Sequence, residues 1–322
     1  MRKILAIAVG LVLFTGMFAF AGGAGDRGAR REQVRFATGG LAGVYFAYGS
    51  AIAQVLTAGT NVDVIIRSTG ASRANIQLIQ AGEVDIALAQ NDVMNHAWQG
   101  TDFFDGVSFR GFGTIAGLYA EVCQIITGAG SGITNIAGLR GRRVSVGDVG
   151  SGTEFNTRQI LAAHGITFAD INVHHLGLAA SIDAFRNGSI DAFFFTAGAP
   201  TPAIVDLAAT HDIVVLGIAP DAIARLQRDY PFYTTYTIAV GTYRGVNVPV
   251  TTVAVKATLL ASNAVPADTV YNITRALFAL QPQIAANHPR GRELDRDYAV
   301  TNLAVPLHPG AERYFRSAGT IR

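Results

Sequence analysis

Leu78-Ile79-Gln80-Ala81-Gly82-Glu83-Val84-Asp85-Ile86-Ala87 is echoed 106 residues later by Ala184-Phe185-Arg186-Asn187-Gly188-Ser189-Ile190-Asp191-Ala192-Phe193. In each stretch a helix runs to a glycine at its C′ position, where a left-handed turn costs glycine nothing sterically. A two-residue step follows, and a buried strand is expected to begin at the aspartate. Each strand then meets a polar turn, Ala89-Gln90-Asn91 or Thr196-Ala197-Gly198. Chance likeness of two ordinary helix–strand units is the competing explanation. The matched Gly, Asp and turn favour two structurally equivalent α/β domains.

Working outward, the same rhythm continues. Val34–Ala37 reads as a strand, followed by a helix from about Val44 to Leu56. Val62–Ile66 is a second strand, and Val84–Leu88 a third. It returns at Arg143–Val146, the Thr153–His164 helix, Asn172–His175, the Ser181–Arg186 helix and Ile190–Phe195. Strands separated by single helices need crossover connections, which predicts a largely parallel sheet in each domain. After Ile218 come a strand at Thr251–Val255 and helices near Ala267–Ala279 and Pro282–Ala286, with no domain of their own to cover. The expected organisation is therefore two lobes: residues 32–122 plus 219–322 form one, and residues 123–218 the other. Val62–Ile66 and Val144–Val146 are expected in separate sheets, and two chain crossings between lobes make a hinged cleft.

Composition removes several function classes. The 322 residues are 50% apolar and only 15% charged, too few charges for a disordered chain. Lys and Arg number 25 against 23 acids; without Arg2 and Lys3 the balance is zero, a poor basis for binding nucleic acid. Cys123 is the only cysteine, which excludes an intrachain disulfide, a CxxC site and a thiolate zinc cluster. Its neighbours Val122 and Ile125 suggest burial. Neither Lys3 nor Lys256 follows a glycine, so no phosphate-binding P-loop is present.

Arg2 and Lys3 precede the apolar run Ile4–Phe20, which ends in Ala19-Phe20-Ala21. A positive start, an apolar middle and small residues two apart form the export-signal pattern, with residues 1–21 as signal peptide cleaved near Ala21. An uncleaved anchor is the alternative, since Ile4–Ala21 nears the lower spanning length. A cleaved product is expected to be periplasmic.

Five loops leading into helices are rich in glycine and hydroxyls: Thr38–Gly43, Ser68–Ser72, Gln90–Asp92, Gly150–Thr153 and Thr196–Pro200. In parallel sheets such loops lie beyond the carboxyl ends of the strands, where ligands bind. Free N–H groups at helix N-termini then hold a carboxylate or phosphate without Lys or Arg. Capping alone explains any one loop; five aimed at one cleft favour binding. Arg73 and Tyr45, at helix starts, add a possible cation and a phenol, with surface exposure or packing as their ordinary roles. The loop at Thr38–Gly43 lacks G-x-G-x-x-G spacing. Ala129 and Val149 stand where a nucleophile elbow needs its first glycine. His174 and His175 point to opposite strand faces and cannot chelate together. No metal or cofactor is expected.

Phe36-Ala37-Thr38-Gly39-Gly40-Leu41-Ala42-Gly43-Val44-Tyr45, Ser68-Thr69-Gly70-Ala71-Ser72-Arg73-Ala74-Asn75 and Ala87-Leu88-Ala89-Gln90-Asn91-Asp92 resemble the TAXI family, the solute receptors of one branch of TRAP transporters. Val144–Thr153, Phe193–Pro202 and the ending Val305–Tyr314 carry the same resemblance, which covers essentially the whole mature chain. The family usually has Gly-Thr-Gly-Gly where this chain has Gly40-Leu41-Ala42-Gly43, which removes a hydroxyl; Arg73 stands at a position associated with an apolar residue. The resemblance implies a two-lobe periplasmic-binding-protein fold of type II-like kind, with no catalysis and no cofactor. It further implies a monomer that closes on a small organic acid such as glutamate or 2-oxoglutarate and delivers it to a TRAP permease. The expected contacts are Thr38, Gly39, Gly43, Tyr45, Ser72, Arg73, Asn75 and Gln90 from the first lobe, and Ser151, Gly152, Thr153, Thr196 and Gly198 from the second. Three other readings stay open. A transferase-like α/β enzyme would take its base from Asp92, Asp148 or Glu154. A sensory receptor without transport would have the same lobes, and the polar loops disfavour a purely structural pair.

Overall fold

The computed structural model describes residues 31–322, so the expected signal segment lies outside the described residues. The first half alternates β1 (Glu32–Ala37), α1 (Val44–Gly59), β2 (Val62–Arg67), α2 (Ser72–Gln80), β3 (Ile86–Gln90) and α3 (Asn91–Gln99). A long strand, β4 (Phe112–Gly128), leads into β5 (Arg143–Ser145), α4 (Gly152–Ala163), β6 (Asn172–His174), α5 (Leu178–Arg186) and β7 (Ala192–Ala197). Then come α6 (Pro202–Thr210), β8 (Ile213–Val215), α7 (Pro220–Asp229), β9 (Thr234–Ile238) and a second long strand, β10 (Val250–Ser262). Helices α8 (Ala267–Ala279), α9 (Gln281–Asn287), α10 (Arg296–Val300) and α11 (Pro309–Ser317) end the chain. Among the described residues no helix is long and apolar enough to cross a membrane.

The repeat is a structural one. Asp85 receives the backbone N–H of Arg35 at 2.7 Å and its guanidinium at 2.9 and 2.7 Å. Asp191 receives the N–H of Arg143 at 2.8 Å and its guanidinium at 3.2 and 2.6 Å. Each aspartate thereby ties the approach to β3 or β7 to its parallel neighbour, β1 or β5. The strands start at Ile86 and Ala192, one residue after each aspartate. Gly82 and Gly188 hold left-handed φ of 69° and 72°.

Two sequence expectations are corrected. The halves do not carry separate sheets: strands run β2-β1-β3-β10-β4-β7-β5-β6 in one hydrogen-bonded array, with β8 on β4 and β9 on β10. The reason is the length of β4 and β10, 17 and 13 residues, buried almost throughout. At about 3.3 Å per residue each is long enough to belong to both halves. Parallel wings thus flank an antiparallel centre. The return to the first half also comes later than Ile218. Ala222, Ile223 and Leu226 of α7, with Tyr233, pack in the core of Val144, Ile160, Leu161 and Phe194. The chain therefore goes back along β10.

A larger core joins both wings through the central strands, taking in Phe36, Ile52 and Leu56 with Ile115, Val122, Phe193 and Ala257. The ending packs on the first half, where His308 N–H donates to Thr114 O at 2.8 Å and Phe315 is fully buried.

Candidate functional site

The strand-to-helix loops of both wings open on one cleft of about 470 Å³. That size suits a small metabolite. Five helices begin on its wall: the N-caps Gly43, Ala71, Gln90, Ser151 and Gly177 of α1, α2, α3, α4 and α5 all line it. Each N-terminus leaves N–H groups unpaired and carries roughly half a positive charge. Asp92 and Glu154, in the first turns of α3 and α4, offset part of that field. Among the described residues no Lys, Arg or His lines the cleft; the ionisable side chains on its lining are Tyr45, Glu121 and Asp148.

Of the expected contacts, Gly39, Gly43, Tyr45, Ser72, Gln90, Ser151, Gly152, Thr153 and Thr196 lie along the lining. The hydroxyls are fixed by incoming bonds. Ser72 Oγ accepts from Gln90 N–H at 3.1 Å, Ser151 Oγ from Glu154 N–H at 3.2 Å, and Thr153 Oγ1 from Thr196 N–H at 3.1 Å. Each keeps its own proton for a ligand. Gln90 Oε1 is buried and unpartnered.

Four expected contacts are not brought to the lining. Thr38 is fully buried and donates to Arg67 O at 2.9 Å. Asn75 donates to Thr38 O and Leu88 O at 2.6 and 2.7 Å, bracing the loops from behind. Gly198 is covered by the Arg290 guanidinium. Arg73 turns away to stack near Phe103 and Phe104, 5.8 and 5.9 Å from their ring centres, and lies against Gly150. It is therefore a contact between halves, not a clamp in the cleft.

Sequence reasoning missed Glu121 and the residues 176–180 that lead into α5, both on the lining. Glu121 had a signal: it is the only charged residue in the apolar run Phe112–Gly128. Its Oε2 accepts the Tyr45 phenol proton at 2.6 Å. Burial, with Asp92 nearby, pushes its carboxyl up to about 8 despite the Tyr45 bond. Asp92, fully buried, is likewise pushed up to about 7 by burial, which outweighs bonds from backbone N–H groups and Asn156. The Tyr45 phenol is also raised by burial.

The halves meet beside the cleft. Asn156 of α4 donates to Asp92 of α3 at 2.8 Å, and to Tyr233 at 2.9 Å. Phe155 packs on His96 and Phe103, with ring centres 5.5 and 4.6 Å apart. A methyl group on Gly152 would overlap the Gln90 amide opposite. Glu154 accepts from Gly150 N–H at 2.6 Å and from Arg158 at 3.2 Å. Two of the three acids available to an enzyme, Asp92 and Glu154, are thus committed to structural bonds. Cys123 is buried, with Thr196 Oγ1 at 3.5 Å from its sulfur. Among the described residues no group of three His, Cys, Asp or Glu is arranged to hold a metal.

The model of the NMT1-like family matches residues 36–319. The chain belongs to the NMT1-like family. This NMT1-like chain also shares its fold with solved periplasmic binding proteins. The aliphatic sulphonate binding protein SsuA of Escherichia coli is 16% identical, with a TM-score of 0.51 over 88% of this chain and 83% of that one. The alkanesulfonate-binding SsuA of Xanthomonas axonopodis pv. citri, bound to MOPS, gives 16% and 0.52 over 89% and 84%. A protein of Bordetella bronchiseptica RB50 gives 16% and 0.58 over 90% and 99%. The fold is thus the two-lobe α/β fold of periplasmic binding proteins.

Proposed function

We propose that this NMT1-like protein is an exported solute receptor that closes on a small organic acid of the glutamate, 2-oxoglutarate or dicarboxylate kind and passes it to a TRAP-type permease. The observation that carries the reading is the convergence of five helix N-termini, with hydroxyls of Ser72, Ser151 and Thr153, on a cleft that among the described residues has no cationic side chain. Such a wall suits an anion held by uncharged donors. One lobe comprises β1 to β3 and α8 to α11, the other β5 to β9, with β4 and β10 as the hinge. An anion bonded to both lobes stabilises the closed form, because those bonds exist together only there. The signal-like segment supports export with cleavage after Ala21, and the chain acts as a monomer without cofactor or chemistry on its ligand. A sulfonate is the second reading, favoured by the ligands named for the two SsuA proteins.

A thermal-shift screen of amino, keto, hydroxy and dicarboxylic acids beside alkanesulfonates tests this. A saturating organic acid should raise Tm by several degrees, since a ligand at a hundred times its Kd adds about 2.7 kcal/mol. Stabilisation by sulfonates alone, or turnover of any acid, would sink the organic-acid receptor. The mass of the exported protein checks cleavage; retention of Arg2 and Lys3 would exclude it.

A further inference from the structure

The floor of the cleft holds a carboxyl group where the wall is built for an anion. Glu121, on β4, is 2% exposed and lines the cleft. The Tyr45 phenol donates to it at 2.6 Å and the Tyr119 phenol also supports its ionised form, while among the described residues the lining offers it no counter-ion. The groups facing it from the elements around are Tyr45 of α1, Asp92 of α3, Arg290 of the turn Pro289–Glu293 and Tyr298 of α10, with Tyr119 and Cys123 on its own strand. Arg290 is the single cation in that group, and it is bonded to Glu293. Lys256, next door on β10, gives its ammonium to the carbonyls of Tyr298 and Thr301 at 2.7 and 2.5 Å. Asp92 adds a second buried acid.

An anion drawn in by the helix N-termini shares the cleft with this carboxyl. Two carboxylates sharing a water-poor site cannot both stay ionised. We infer that Glu121 is a specificity-determining residue that carries a proton in the occupied cleft, so that each organic anion is held beside a protonated carboxyl. The inference rests on the organic-acid reading above. Above about pH 8 the proton comes from solvent as the ligand enters and returns there on release, whereas below that range the empty-cleft carboxyl already holds it; in both cases it is shared with the ligand carboxylate as a hydrogen bond. Burial already pushes the empty-cleft carboxyl up to about 8, and a neighbouring anion moves it further the same way. A ligand bearing an ammonium group beside its carboxylate would need Glu121 ionised instead. Keto and hydroxy acids are therefore preferred to the matching amino acids.

Titration calorimetry on the mature protein, with 2-oxoglutarate as probe and two buffers of different ionisation heat, reads the proton directly. Affinity should be level from about pH 6 to about pH 8, then fall about tenfold per pH unit, with uptake of about one proton per ligand in that upper range. Glu121→Gln, checked for folding by its Tm, should show neither the fall in affinity above about pH 8 nor the proton uptake. Parent affinity level to about pH 9.5 would overturn the inference and leave the receptor intact. So would a hundredfold loss in Glu121→Gln together with a preference for glutamate over 2-oxoglutarate. Absence of binding by every acid, in folded protein at every pH, would remove the organic-acid reading as well.

Discussion

Gly152 is the first residue of α4, packed against the first half, and the Gln90 amide occupies the space a side chain would need. Gly152→Ala should hold the halves apart and weaken binding of the best acid about tenfold or more, with small-angle scattering showing a more open molecule. Ser151→Ala and Thr153→Ala remove one hydroxyl each from the anion wall. A hydrogen bond to a charged group contributes about 1.5–3 kcal/mol, so each should cost roughly tenfold to a hundredfold in Kd by calorimetry. Arg73→Ala, by contrast, should change affinity for mono- and dicarboxylates by the same factor, because its guanidinium packs near Phe103 and Phe104 rather than in the cleft. A selective loss for dicarboxylates would restore it as a clamp. At this scale the loops were legible because glycine and hydroxyls before a helix advertise free N–H groups. What could not be read was which polar residues face backward: Thr38 and Asn75 look like ligand groups in sequence but spend their donors on the carbonyls of Arg67, Thr38 and Leu88.

Among the elements, the paired clamps Arg35–Asp85 and Arg143–Asp191 explain why the repeat keeps its aspartate. Asp85 shows the balance: burial alone would raise its carboxyl, but the Arg35 bonds outweigh it and lower it. A lowered acid stabilises the fold above its unfolded value near 4, and that contribution disappears as pH falls through the lowered folded value. Asp85→Asn should therefore reduce Tm by a degree or two at neutral pH and leave it unchanged in strong acid, the effect being small because Arg35 is half exposed. Element types were readable wherever strand and helix alternate, since period and punctuation change together. The central strand β4 was not. Buried on both faces, it shows no alternation, and Gly113 and Gly117 interrupt it where His308 and Lys256 approach closely. Without β4, the sequence suggested two sheets where there is one.

For the whole molecule, two buried acids with raised carboxyls set the response to pH. Both bind a proton in the folded state more tightly than in the unfolded chain. Their cost is absent below about pH 4, grows as pH rises, and levels off past the values of about 7 for Asp92 and about 8 for Glu121. The ligand-free protein should melt at a higher temperature at pH 5 than at pH 8.5, and Asp92→Asn with Glu121→Gln should flatten that difference in scanning calorimetry. The central strands carry a mechanical consequence too. Phe112 at the start of β4 pairs with Ser262 at the end of β10, and the pairing continues inward to Val122 with Ala254. A load applied between β1 and α11 therefore arrives at one end of this antiparallel pair and opens it like a zipper, one hydrogen bond at a time, rather than shearing many together. Under tension the α4–β7 wing, which lies beyond that seam and also grips α3 through Asn156, should be the last part of the protein to feel the pull.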